Sequence, residues 1–155
     1  MPNGLVKGQD GLIYVPSTTG GTIDVFTLNQ NHTFTKLSTF KTLPIDNLSV
    51  DKNGDIYAAA LPQVWKWMKS AKSPFDIHPG STVLKIKRDG LESTGSGRQG
   101  YPDGIGGNYV VETVIEDDGE VLPGATIAVH DAETGRIFLG GAVAPYITIC
   151  ETRRV

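Results

Sequence analysis

Apolar and polar residues alternate along this chain in short bursts. In "TIDVFTL" (22–28) and "TVLKIKR" (82–88) the side chains change character at nearly every step, the period of two expected of strands with one face in a core. Further β-rich runs cover 12–15, 33–40, 48–50, 55–60, 109–116, 126–130, 136–139 and 146–150, and clusters of Gly, Pro, Asn and Asp separate them. Helical periodicity is weak throughout. In "PQVWKWMKSAK" (62–72), Val64, Trp65 and Met68 fall at helix-compatible spacing, so a short helix inside a connection is one reading. The pattern predicts an all-β chain. One stretch is unusual: "LPIDNLSVDKNGDIYAAA" (43–60) reads as two half-buried strands joined at Lys52-Asn53-Gly54, yet Asp46 and Asn47 stand immediately before the first. A buried, unpaired polar group costs about 2–7 kcal/mol, so the pair needs a partner.

The strands repeat. Aligning Asn3-Gly4-Leu5-Val6 with Asn47-Leu48-Ser49-Val50 brings Gly11-Leu12-Ile13-Tyr14 onto Gly54-Asp55-Ile56-Tyr57, to within one residue. A third copy runs from Thr126-Ile127-Ala128-Val129 to Gly135-Arg136-Ile137-Phe138. Asn3 and Asn47 are 44 residues apart (47 − 3), within the range of propeller blades of four strands each. The reading is about three blades of a β-propeller. Blade one covers 3–40. Blade two covers 44–118, with insertions at 61–81 and 89–108, and blade three covers 124–152 without its outer strand. Three blades do not close a ring, which predicts a portion of a larger propeller or self-association through uncovered faces and edges.

Composition narrows the function classes. The chain has 155 residues, 39% of them hydrophobic, enough for one domain with a core. A formal charge of −3 offers no electrostatic case for nucleic acid or an anionic membrane. No run approaches the roughly 20 apolar residues of a membrane span, and residues 1–15 lack the basic start and apolar core of a signal peptide. The single cysteine, Cys150, excludes a cysteine-rich metal site and an internal disulfide. Asn31-His32-Thr33 fits a glycosylation acceptor, relevant to a secreted full-length form.

Several motifs fail on context. "GSGRQG" (95–100) fits G-x-G-x-x-G, but "YPDGIGG" follows and forbids the helix that would hold a pyrophosphate. "DKNGD" (51–55) matches the opening of an EF-hand loop, yet its glycine comes too early and position twelve is Pro62, so it reads as a turn. His32, His78 and His130 read as structural or exposed, and Trp65 and Trp67 as covering the outer sheet. For Asp46 and Asn47, residues common before strands as turn formers, a structural and a ligand-holding role both remain open on these residues alone.

"PNGL", "DNLSVDKNGDIY", "VETVIEDDGEVLPGATIA" and "RIFLGGAVAPYITIC", in this order and spacing, resemble the C-terminal half of the paraoxonase/arylesterase family. These are calcium-dependent hydrolases related to the SMP-30/gluconolactonase-like six-bladed propellers. The resemblance runs nearly from Asn3 to Cys150, with "WKWMKSAKSPFDIHPG" outside the core pattern. It implies a calcium ion at the hub, with Asn3, Asp46 and Asn47 matching three of its ligands. Inner-strand starts converge on a propeller axis, where hard oxygens suit an ion that takes 6–8 of them. Thr126 and Val143 match substrate-pocket positions, and both could equally be blade core. The family's other ligands and its histidine pair lie upstream of the matched part, and Leu61-Pro62 stands where relatives place a further histidine. Cys150 matches a cysteine that pairs near the family's N-terminus; without that partner it is expected to be a free, mostly buried thiol.

The expected function is therefore a fragment of a calcium-dependent arylesterase or lactonase, acting on small esters, lactones or organophosphates and inactive alone. Alternatives are a non-catalytic binding or self-assembling propeller segment, or a strictosidine-synthase-like propeller.

Overall fold

The computed structural model describes residues 1–88, 109–144 and 146–151. The insertion at 89–108, with the "GSGRQG" run, lies outside the described residues. Among the described residues the chain is all-β apart from one short helix, as the alternation predicts, and forms three antiparallel sheets. None of them closes on itself among the described residues.

The first sheet has the order β1 (Val6–Lys7), β2 (Ile13–Ser17), β3 (Thr22–Leu28), β4 (Phe34–Lys41). The second has the order β5 (Ile45–Val50), β6 (Ile56–Ala60), β7 (Ser81–Arg88), β8 (Tyr109–Asp117), and helix α1 (Val64–Ser70) lies between β6 and β7 in the chain. The third has β9 (Ile127–Asp131) and β11 (Thr148–Glu151) on either side of β10 (Arg136–Gly140).

The middle sheet explains the core. Its strand β6, "IYAAA", is buried at every position. Ala58 and Ala60 face the first sheet, in a cluster with Tyr14, Ile23, Val25 and Phe40, while Tyr57 joins Val83 in a second cluster with Ala128, Ile137 and Leu139 of the third sheet. A strand covered on both faces has no polar alternation, and three small alanines let the flanking sheets come close. The first strand of each sheet lies toward the same side, with β1 and β9 both against β5.

Two expectations are corrected. The strand after Pro44 begins at Ile45, not 48, so Asp46 and Asn47 lie inside β5. Ile45 pairs with Ala60 and Leu48 with Ala58, with a register irregularity between them. Asp46 and Asn47 therefore share the space opposite Ala59, as two residues of a β-bulge do. The helix forms at 64–70, but its buried side is not the one that Val64, Trp65 and Met68 mark. Ser70 is buried, and Trp67 packs where Pro79 and Gly124 meet, whereas Trp65 and Met68 are each 62% exposed. Trp67 alone covers structure.

A candidate calcium-holding end

Antiparallel pairing sends the loop before β1, the end of β2, the start of β5 and the loop before β9 to one end of the molecule. Asn3 is fixed there by its backbone: its N–H donates to Pro16 O at 2.9 Å, beside a bridge between Pro2 and Ser17. The bulge in β5 delivers Asp46 and Asn47 to the same place. All three are half-buried.

Their hydrogen bonds share one polarity. The Asn3 side-chain Nδ2 donates to Asp46 Oδ1 and, at 3.1 Å, to Thr18 Oγ1. Asn47 Nδ2 donates to Thr126 O at 3.0 Å, and the Asn47 backbone N–H reaches the same carbonyl at 3.2 Å. Carbonyls and ionised carboxylates only accept, so these partners decide which end of each amide faces them. The nitrogens are turned into the protein. Asn3 Oδ1, Asn47 Oδ1 and Asp46 Oδ2 take no hydrogen bond among the described residues. Gly4 makes the approach possible: it has φ +71°, and a Cβ there would come within 3.0 Å of Asn47 Oδ1.

Asp46 is the electrostatic exception at this end. Burial raises its carboxyl above the usual range, and the Asn3 amide only partly counters that. No lysine or arginine pairs with it among the described residues. Likewise, no three His, Cys, Asp or Glu side chains come together among the described residues in a way that could hold a metal ion. The donor set consists of one carboxylate and two amide oxygens, hard ligands by type and fewer than the 6–8 oxygens that a calcium ion takes.

Of the remaining expected site residues, only Thr126 touches this trio among the described residues. Thr126 is buried and holds Asn47 through its carbonyl, while its own N–H donates to Gly140 O at 2.8 Å. Its part here is played by the backbone. Val143 lies in the Gly141–Ala144 turn after β10, half-buried, and nothing in the structure ties it to the trio. Cys150 is free and half-buried against the third sheet's core, and burial pushes its thiol up.

His32 has φ 62° in the exposed β3–β4 turn, and His78 is exposed in the loop after α1. His130 belongs to the opposite end of the molecule. Its Nδ1 lies 2.7 Å from Asp51 Oδ2, and its ring stacks on Tyr57 with centroids 4.6 Å apart. A groove of about 890 Å³ opens between α1 and the ends of β7 and β8, lined by Lys66, His78, Thr82 and Glu116 among others. It includes none of Asn3, Asp46 and Asn47.

Sequence reading missed Thr18. A threonine just past a β-strand is unremarkable by pattern, and only the fold brings it between Asn3 and Ile45. No family model matches the chain, and no curated protein matches it.

Proposed function

We propose that the Asn3–Asp46–Asn47 end is part of the calcium site of a propeller hydrolase of the paraoxonase/arylesterase kind, acting on small esters, lactones or organophosphates. One observation carries the reading: two amides, Asn3 and Asn47, turn their nitrogens onto protein acceptors, so that with Asp46 three side-chain oxygens are left without donors among the described residues. Asp46 adds a half-buried carboxylate without a cationic partner among the described residues, which a divalent cation would stabilise. The residues fit such an ion as a partial shell, with Asp46 supplying the charge and the two amides neutral oxygens.

When bound, calcium would polarise a carbonyl or phosphoryl oxygen of the substrate. The chain's own residues hold and orient the donors: Thr126 fixes Asn47, and Gly4 leaves room for its oxygen. Among the described residues no histidine is tied to the trio: His130 is engaged by Asp51, His32 lies in the exposed β3–β4 turn, and His78 is exposed in the loop after α1.

The test is calcium titration of the purified chain by calorimetry, with a phenyl acetate assay beside it. The reading predicts calcium binding that Asp46→Asn abolishes, with negligible hydrolysis by this polypeptide alone. Absence of binding overturns the calcium site, and robust calcium-dependent turnover overturns the account of the missing base.

A second reading, self-association, draws on the third sheet. Its outer face presents a cross-strand row of Val129, Phe138 and Ile149, with Val129 46% and Ile149 55% exposed. A stable dimer in a solution-mass measurement would favour it.

A further inference from the structure

The Thr18 hydroxyl is the link between Asn3 and the strand that carries Asp46. Thr18 is 7% exposed and sits just beyond the end of β2. Its single proton goes to Ile45 O at 2.8 Å, so toward Asn3 the same oxygen can only accept, which it does at 3.1 Å. Ile45 is the residue before the bulge, so one buried hydroxyl fixes both the Asn3 amide and the backbone from which Asp46 and Asn47 project.

We infer that Thr18 is the positioning residue of this end of the molecule, setting which atom of Asn3 faces the ion. The inference rests on the calcium reading above and adds a residue that would touch no ion itself. With Thr18 accepting one amide proton and Asp46 the other, the Asn3 carbonyl is the only end left to face outward. Without Thr18 the amide keeps one anchor and can rotate. Partners that orient a metal ligand typically cost 10–100-fold in metal affinity when removed.

The experiment is calcium titration of the wild type, Thr18→Val, Thr18→Ser and Gln9→Ala, each at a temperature where melting curves show it folded. Gln9 bonds the Asp51 and Lys52 carbonyls at the opposite end, at 3.2 and 2.9 Å, and serves as a purely structural control. Thr18→Val is expected to raise the calcium Kd about 10–100-fold. Thr18→Ser, which keeps the hydroxyl, is expected to restore it, and Gln9→Ala to lower Tm without moving Kd. If the wild type binds calcium and Thr18→Val binds it equally well, the role of Thr18 is overturned while the site stands. If Thr18→Ser fails to rescue, the hydroxyl is not the operative group and the inference also falls. If the wild type binds no calcium, the site and the inference fall together.

Discussion

Strand β5 carries an aspartate at each end, and their surroundings could hardly differ more. Asp51, just past its C-terminal end, has a side chain with no exposure. It accepts the Asn53 and Asp55 backbone N–H groups, both at 2.9 Å, and meets His130 at 2.7 Å. The turn it organises, with Gly54 at φ +85°, is tied to the first sheet by Gln9 and to the third by His130 and the Lys52–Glu133 pair. Asp46, near the N-terminal end, has one side-chain partner among the described residues, an amide, and burial pushes its carboxyl up. A buried acid surrounded by donors stabilises a fold. A half-buried acid with few donors costs stability, and such a residue makes sense where a cation completes its surroundings. The same residue type on one strand thus serves structure at one end and, on the proposed reading, a ligand at the other.

The largest effect should come from breaking the satisfied end. Asp51→Ala strips two turn N–H groups and His130 of their acceptor, and each buried polar group left unsatisfied costs about 1–3 kcal/mol. At roughly 2–4 °C per kcal/mol for a chain of this size, Tm should fall by about 6 °C or more. A loss of only a degree or two in calorimetry would mean that the turn does not join the three sheets.

A smaller effect is expected where the polypeptide itself makes room for the trio. Gly4→Ala places a side chain at a left-handed φ, a strain of about 1–2 kcal/mol, and crowds Asn47 Oδ1. It should lower Tm by a few degrees and weaken calcium binding together. An unchanged calcium affinity would show that the Asn47 oxygen plays no part.

The smallest effect has the opposite sign. Because the folded-state carboxyl of Asp46 is raised, the folded chain holds a proton more tightly there than the unfolded chain does. Its favourable contribution is complete below the ordinary carboxylate range and is lost as pH rises through the raised value. Asp46→Asn removes that loss, and Asn can still accept from Asn3. The variant should therefore match the wild type in acid and melt slightly higher at neutral pH, without calcium.

Much of the strand layout was legible because alternation and turn glycines are local signals. The "DKNGD" turn is one example: its glycine adopts the positive φ that the turn requires. What local pattern could not show was pairing over distance. Asp51 reads as an ordinary turn residue until His130, 79 residues later, arrives beside it. His130 reads as a strand end for the same reason. The bulge was equally hidden, because two consecutive polar residues at a strand's start look the same in a turn or in an irregular strand. In α1 the period was present, but which side is buried depends on Pro79 and Gly124, outside the helix.

The most direct measurement is thermal unfolding of the wild type and Asp46→Asn at neutral pH, each in chelator and in millimolar calcium. Calcium should raise the wild-type Tm, since an ion that binds only the folded state stabilises it, and should leave the variant unmoved, with the variant melting above the wild type in chelator. A wild-type Tm indifferent to calcium, or a variant that melts well below the wild type in chelator, would contradict the assignment of Asp46 to an ion.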